Sequence, residues 1–509
     1  MAQQASVQNA QQIALIAQEK YQQRHLWLER LLDKPLGIIV LLLAHIALAH
    51  VVRNYNSSIG LFHVVATFAL GLYWAINSRF PPVYAAYAVA YIVGAEVMWR
   101  QNEFPTFWET GKYAVSIILL LSWVRAKSGK IYMANLIYIL CLTPGVILAL
   151  FQPISEIHTL LSFSLTGPFA IFVCILYFND MILSRDQLRR IFIMLILPVA
   201  GIAGITTYRL STLDITWTGD SNSEASGFGA NQVSSALGLG WMVATFVVVM
   251  LWERRRFLLF VPLLITIPWF ISQNFLTFSR AGLIGAMLGV TVALFHFIYI
   301  PNRRIIIVFA SIIALSSLLF FFPALDNTTQ GRLSIRYQVQ NNETLDELSS
   351  GRERILEDEI RVFLENPITG AGVGLGRDFR NVFGGGIVSH TEYTRLLADH
   401  GVLGVLANIM MFLMWLRAYS KQKNPTARGI AAALVIWTAF YMVGAGTRTV
   451  AVAFTFGLSL ALLTPNLNLE GKEVAEGEKP DDSEIPTINP KPKDKRWVPL
   501  DIPVMPLNG

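Results

Sequence analysis

The sequence predicts an all-α polytopic membrane protein with about 12–14 transmembrane helices and one large periplasmic loop that contains short helices. The first observation is composition. Of the 509 residues, 54% are hydrophobic and 15% are charged, whereas soluble domains average about 25% charged residues. The second is a series of apolar runs near the length of about 20 residues that a helix needs to cross a bilayer. The third is that Lys and Arg gather in alternate connections between these runs.

The apolar runs predict about fourteen spans. In chain order they cover 36–52, 58–76, 82–98, 113–124, 131–151, 160–178, 191–208, 232–252, 257–271, 281–300, 305–321, 401–416, 430–443 and 450–463.

The basic residues between the spans predict the orientation, because cytoplasmic loops carry an excess of Lys and Arg. One set of alternate connections holds Arg79, Arg125, Lys127, Lys130, Arg185, Arg189, Arg190, Arg254, Arg255, Arg256, Arg303, Arg304, Arg417, Lys421, Lys423 and Arg428. We therefore expect both chain ends in the cytoplasm and the long loop on the opposite, periplasmic face.

Five segments follow from this topology. Residues 1–35 form a cytoplasmic amphipathic segment, and residues 36–321 form the first eleven spans. Residues 322–400 form the periplasmic loop, and residues 401–464 form three further spans. Residues 465–509, rich in Pro and in charged residues, are predicted to be a disordered cytoplasmic tail.

The long loop contains a predicted amphipathic helix. Leu356, Ile360, Phe363 and Leu364 recur with helical spacing, and the helix begins near residue 350 and ends at Asn366.

Arg352 and Arg354 lie in the first turn of this helix, where cations oppose the helix dipole by a few tenths to about 1 kcal/mol each. Either Glu353 and Glu357 offset that cost, or an anion binds there to the free backbone N–H groups and the arginines.

A glycine-rich stretch follows, with Gly370, Gly372, Gly374 and Gly376 at every second position. It is a flexible turn or a backbone nest for an anion.

A candidate catalytic histidine comes next. Ser389 and Glu392 have the spacing of a capping box, which gives Glu392 an ordinary structural role and places His390 in the first turn of a helix. The helix dipole there favours a neutral imidazole that can accept a proton. The alternative is a polar surface residue. His400 precedes Gly401, a predicted helix stop.

Arginines also stand at the periplasmic mouths of several spans: Arg53, Arg209, Arg280 and Arg448. Each could contact lipid phosphate, and several converging on one cavity would form a site for a diphosphate.

The order of these elements resembles the O-antigen ligase and polymerase superfamily. The stretch 278–282 (FSRAG) resembles its S-R-x-G element at the start of a span. The stretches 350–352 (SGR) and 366–372 (NPITGAG), with His390 before Gly401 and Gly404, resemble its long periplasmic loop. The stretch 229–232 (GANQ) is similar to a less specific Asn-containing element of the superfamily.

The resemblance implies a glycosyltransferase of the bacterial inner membrane that uses an undecaprenyl-diphosphate-linked glycan, without a nucleotide sugar, cofactor or metal. It implies that Arg280 and Arg352 hold the donor diphosphate and that His390 is the catalytic residue. Glycan, lipid A–core or protein would be the acceptor, membrane lipids would surround the chain, and no nucleic-acid partner is expected. Further candidate site residues are Arg209, Arg448, Glu392 and Arg395.

The sequence departs from the superfamily in three respects. Thr391 follows the histidine where members often have Asn, more spans are predicted than the usual dozen, and the C-terminal tail is long. These departures bear on the acceptor, so that ligase and polymerase both remain open.

A transporter or flippase of lipid-linked oligosaccharide is the alternative from another class. It would need charged residues near the middle of spans and broken helices in paired positions. The sequence places few charges inside the spans, and a transporter has no need of the long loop.

Overall fold

The computed structural model describes residues 27–126, 131–153, 157–179, 181–217, 223–299, 304, 321–337, 352–376, 391–444 and 446–464. The predicted tail lies outside these residues. The elements, in chain order, are α1 (Trp27–Leu32), α2 (Pro35–Asn54), α3 (Ser57–Ile76), α4 (Val83–Gln101), α5 (Thr110–Ala126), α6 (Met133–Leu150), α7 (Ile157–Phe178), β1 (Ile182–Ser184), α8 (Arg185–Thr212), α9 (Ser223–Ser226), α10 (Ala230–Glu253), α11 (Phe257–Leu276), α12 (Arg280–Phe297), α13 (Arg332–Tyr337), α14 (Arg352–Glu365), α15 (Glu392–His400), α16 (Val402–Lys421), α17 (Pro425–Gly444), α18 (Ala451–Ser459) and β2 (Leu462–Thr464).

The predicted fold class is confirmed: the protein is an all-α polytopic membrane protein. Among the described residues, ten helices are long and apolar enough to cross a membrane, namely α2, α3, α6, α7, α8, α10, α11, α12, α16 and α17. Each of the ten coincides with a predicted span. Helices α4 and α5 coincide with two more, and the predicted span 305–321 lies almost entirely outside the described residues.

The last predicted span, 450–463, is wrong in its second half. Helix α18 has only nine residues, which rise about 13 Å, less than half of the hydrocarbon thickness of about 30 Å. The chain then becomes the strand β2, which pairs in parallel with β1 in the register Ile182↔Leu462. An apolar Leu-Leu-Thr sequence suits a buried strand as well as a helix, so hydropathy alone extended the helix too far.

Helices α8 and α10 form the centre of the bundle. Buried residues make up 83% and 89% of their most apolar stretches, against 28% in the peripheral helices α3 and α16. Helix α4 packs along α8, and a Cβ atom added to Gly94 would lie 2.2 Å from the Leu195 carbonyl oxygen. Small residues at such crossings let apolar helices approach closely.

At the end of the bundle where β1 and β2 pair, which we call the strand side, the arginines at the start of α8 are buried in ion pairs. Arg190 lies 3.0 Å from Glu29, and Arg189 lies 2.5 Å from Asp33. Burial by itself would raise the pKa of Asp33, but hydrogen bonds and charges from Arg190 and Arg189 lower it. With the buried side chain of Leu32, these pairs dock α1 onto α8.

The opposite end, which we call the loop side, carries α14 and α15. The predicted loop helix is confirmed as α14. Helix α15 ends at His400, and Gly401 follows with a φ of 62°, so the predicted helix stop is confirmed. The N–H of Val402 donates to the Pro367 carbonyl at 2.8 Å, which ties the end of the loop to the start of α16.

Candidate functional site

The S-R-x-G stretch lies where α12 starts on the loop side, against the start of α10. The Ser279 hydroxyl donates to Asn231 Oδ1 at 2.7 Å. The N–H of Gly282 donates to the Ser234 hydroxyl at 3.1 Å, and a Cβ added to Gly282 would lie 2.0 Å from the Ser234 carbonyl oxygen. The glycine therefore permits the helix crossing, and the serine joins this stretch to the GANQ stretch that contains Asn231.

Arg280 is half-buried at the first position of α12. Its Nη2 donates to the backbone carbonyl of Arg336, and Arg336 Nε donates to the Phe278 carbonyl at 3.1 Å. Phe278 has a φ of 56° and stacks on Trp217. Among the described residues, Arg280 Nε is a buried donor without a hydrogen-bond partner. Helix α13 thus places a second arginine, which sequence reasoning missed, beside Arg280.

A buried arginine that sequence reasoning also missed connects the GANQ stretch to the turn between α17 and α18. Arg100 Nη1 donates to Gln232 Oε1 at 2.6 Å and to the Arg448 carbonyl at 3.0 Å. Its Nη2 donates to Glu96 Oε1 at 2.7 Å and to the Trp108 carbonyl at 2.8 Å. The only sequence signal was a pair of charges at the end of an apolar run.

Two carboxylates hold the turn 446–450, which carries Arg448. Glu96 Oε2 accepts from the N–H of Val450 at 2.7 Å. Glu392 Oε2 accepts from the N–H of Thr447 at 3.1 Å, while Glu392 Oε1 pairs with Arg395. We call the connected set of Glu96, Arg100, Asn231, Gln232, Ser279, Arg280, Glu392 and the turn 446–450 the loop-side polar network.

The predicted capping box is wrong. The N-cap of α15 is Thr391, whose hydroxyl accepts from the N–H of Thr394 at 3.2 Å. Glu392 is therefore the first residue of the helix, and its carboxylate turns to Thr447 instead of back to Ser389. With this N-cap, His390 precedes the helix instead of lying in its first turn. Ser389 and His390 themselves lie outside the described residues.

The glycine-rich stretch is a nest for an anion of the protein itself. N–H groups of Gly374 and Gly376 bond the Asp399 carboxylate, and burial raises the pKa of Asp399 to about 6 although these bonds and Arg395 oppose the shift. Gly370 has a φ of 71°, and a Cβ there would lie 2.3 Å from the Asp399 carbonyl carbon. A flexible turn, the other interpretation of the glycine-rich stretch, is not consistent with this close packing.

His400, next to Asp399, is buried against α6. Burial and the neighbouring Arg395 lower the pKa of His400 to about 3, so that its imidazole is neutral. A Cβ added to Gly145 of α6 would lie 2.5 Å from its Nδ1, so the ring has no space for a ligand on that side.

The other candidate residues fall in different places. Arg395 belongs to the site through Glu392 and also contacts Asp399 at 3.3 Å. Arg209 instead donates to the Glu224 carbonyl at 2.8 Å at the end of α8. Arg352 is the first residue of α14, and its side chain is not among those that the structure describes.

Taken together, fold and site define a polytopic membrane protein whose loop-side helix ends share a buried, arginine-bearing polar network. Residues 269–409 match the model of the family described as O-antigen ligase. This part of the chain is therefore similar to the O-antigen ligase superfamily, which the sequence motifs also resemble. It covers Arg280, Arg352, His390 and Glu392, whereas Arg448 lies beyond it. No curated protein and no solved structure matches the chain.

Proposed function

We propose that this protein is a membrane glycosyltransferase that moves a glycan from an undecaprenyl-diphosphate-linked donor to an acceptor hydroxyl on the periplasmic face. The observation that carries the proposal is the position of Arg280. It stands at the first turn of a span-length helix, inside the segment that matches the ligase family, with a buried Nε that has no partner among the described residues. Such a donor suits an anionic head group at a membrane surface.

Arg280 and Arg352 are proposed to hold the donor diphosphate. Negative charge grows on the diphosphate oxygens as the glycosidic bond breaks, and fixed guanidinium groups in a water-poor cleft stabilise that charge. Arginine forms two parallel hydrogen bonds with a phosphate, whereas lysine acts as a point charge. The positive ends of the helix dipoles at the starts of α12 and α14 add to the same field.

His390 is proposed to be the general base. An acceptor hydroxyl is a poor nucleophile at neutral pH, and a neutral imidazole within hydrogen-bonding distance takes its proton during attack on the anomeric carbon. Base assistance of this kind is worth about a hundred- to ten-thousand-fold in rate. Direct displacement inverts the anomeric configuration. Thr391, the N-cap of α15, holds the chain immediately after the histidine.

The test is to incubate the purified protein with an undecaprenyl-diphosphate glycan and separate candidate acceptors. Transfer to lipid A–core would make it a ligase, and a ladder of lipid-linked repeats would make it a polymerase. His390→Ala should abolish transfer, while His158→Ala, which changes an exposed histidine at the start of α7, should not. Absence of transfer to every acceptor would refute the proposal.

The arginines have their own matched control. Arg280→Lys and Arg352→Lys should each lose most of the transfer activity, because lysine cannot replace the bidentate contact. Arg361→Lys, on the same helix as Arg352 but 57% exposed, should retain it. Normal activity of both site variants would exclude the diphosphate clamp.

Buried charged residues in two helices bear on the transporter alternative. Glu96, Arg100, Glu109 and Lys112 are buried within α4 and at the start of α5, where the sequence suggested few charges. They pair with each other, with Lys112 Nζ 2.6 Å from Glu109. The Glu96–Arg100 pair holds backbone groups of the turn 446–450, and Glu109 accepts from the Thr166 hydroxyl. We therefore assign both pairs a structural role. The transfer assay separates the two functions.

A further inference from the structure

The turn 446–450 enters the bundle below the end of α4. Its residue Val450 bonds Glu96, which lies five residues before the end of α4, about 7.5 Å along the helix axis. The Arg448 carbonyl accepts from Arg100 near the end of the same helix, so the turn runs from the helix end into the bundle.

The two carboxylates that hold this turn have equivalent arrangements. Glu96 and Glu392 are each 2% exposed, and each pairs with an arginine one helical turn further on, Arg100 and Arg395. The second oxygen of each glutamate accepts from a backbone N–H of the turn, at Val450 and at Thr447. These N–H groups lie on either side of Arg448, so the backbone that bears its side chain is fixed from both directions.

A third contact fixes the turn relative to Arg280. The carbonyl of Arg448 accepts from Arg100, which also bonds Gln232 at the start of α10. The adjacent Asn231 accepts from Ser279, the residue before Arg280. A continuous path of hydrogen bonds and neighbouring residues thus joins the supports of both arginines.

Glu392 also connects this turn to the loop. It lies two residues after His390 and begins α15, while its carboxylate is bound to a residue 55 positions later in the chain. A shift of the start of α15 would therefore displace Thr447, and a shift of the turn would displace the first residue of α15.

We propose that Glu392 is a positioning residue that acts through Thr447, holding Arg448 as a contact for the donor diphosphate at a fixed distance from the start of α15. The inference rests on the proposed function and adds a donor contact beyond the segment that matches the family. Glu96 fixes the other end of the same turn. A guanidinium group held in advance by a buried backbone stabilises phosphate charge without reorganising during the reaction.

The experiment measures binding of undecaprenyl diphosphate without a glycan to the full-length protein in nanodiscs, with undecaprenyl monophosphate as the comparison ligand. Arg448→Ala should weaken diphosphate binding about ten- to hundredfold, as expected for loss of a charged hydrogen-bonding partner. Glu392→Gln should weaken it by a smaller factor. The double variant should bind no worse than Arg448→Ala alone, because the glutamate acts only through the arginine.

Glu359→Gln is the matched control. The Glu359 carboxylate accepts from the Thr394 hydroxyl of α15, so the effect of Glu359→Gln on binding should multiply with that of Arg448→Ala. The inference is overturned if the effects of Glu392→Gln and Arg448→Ala on diphosphate binding also multiply, or if Arg448→Ala binds the diphosphate as tightly as the wild type does.

Two further measurements keep the test decisive. Thr447→Ala removes only the hydroxyl contact to Glu392, at 3.3 Å. It replaces Glu392→Gln if that variant does not fold, and it should show the same coupling to Arg448→Ala with a smaller effect on binding. Amide hydrogen exchange should show Thr447 losing protection in Glu392→Gln and Val450 losing it in Glu96→Gln; unchanged protection in both overturns the clamp. If the effects of Glu392→Gln and Arg448→Ala on diphosphate binding are coupled but the protein transfers no glycan, this inference is supported and the proposed function is refuted.

Discussion

Gly282→Ala should destabilise the helix crossing that supports Arg280. The added Cβ would lie 2.0 Å from the carbonyl oxygen of Ser234 and 2.1 Å from its carbonyl carbon. Both are backbone atoms of a buried helix and cannot rotate away, so α12 must move off α10. Overpacking of this kind costs about 1–3 kcal/mol. The hydrogen bond from Gly282 to the Ser234 hydroxyl is lost as well, at about 1 kcal/mol.

The assay is thermal unfolding in detergent, read together with glycan transfer. Gly285→Ala is the matched control on the same helix, because its closest contact would be the ring edge of Phe440 at 3.0 Å, a side chain that can shift slightly. We expect a clear loss of melting temperature and of transfer in Gly282→Ala and a small change in Gly285→Ala. Equal melting temperatures for the two variants and the wild type would refute the argument from the crossing.

Three further predictions concern the loop. The pKa of Asp399 is raised to about 6, so the folded protein takes up its proton before the unfolded chain and gains stability as pH falls from about 6 to 4. Over that window the free energy of unfolding of Asp399→Asn should therefore fall relative to that of the wild type, by about 1.4 kcal/mol per pH unit. Thermal unfolding of both proteins at a series of pH values measures this, and a pH-independent difference would contradict the prediction. Asn341→Cys should react with a membrane-impermeant maleimide added from the periplasmic side. Both native cysteines are buried, so the label should report the introduced cysteine. Labelling only after membrane disruption would contradict the predicted topology. Gly370→Ala should increase proteolysis of the loop far more than Gly376→Ala, because its Cβ would lie 2.3 Å from backbone atoms of Asp399 and His400, whereas the Cβ at position 376 would lie 3.1 Å from the Asp399 carboxylate. Equal cleavage would contradict the close packing of Gly370 on that backbone.

Hydropathy and hydrophobic periodicity predicted most of the helices because both are local properties of the sequence. The run of apolar residues in each span and the spacing of Leu356, Ile360, Phe363 and Leu364 are properties of a few helical turns. Both led to helices at the expected places. The S-R-x-G stretch was likewise recognisable, because its glycine and serine have local roles at the start of α12.

The errors arose where distant residues decided the structure. Ser389 and Thr391 both fit an N-cap in sequence, but the structure uses Thr391, and the Glu392 carboxylate accepts from the distant Thr447. The ligand of the glycine nest is Asp399, which no spacing rule connects to Gly374.

Most of the loop-side polar network escaped prediction for the same reason. A lone Glu96 or Arg100 at the end of an apolar run does not reveal partners more than a hundred residues away. Single-sequence patterns carry no information about such pairs.

The pairing of β1 with β2 has a consequence for how the chain folds. The two strands are about 280 residues apart in sequence, and Gln422 bonds the backbone on both sides of the second strand's start. Loop closure over such a distance is entropically costly and slow. Strand β1 therefore cannot pair until β2 has been synthesised, after all the span-length helices described above. A chain that ends before Leu462 would lack the strand that β1 pairs with.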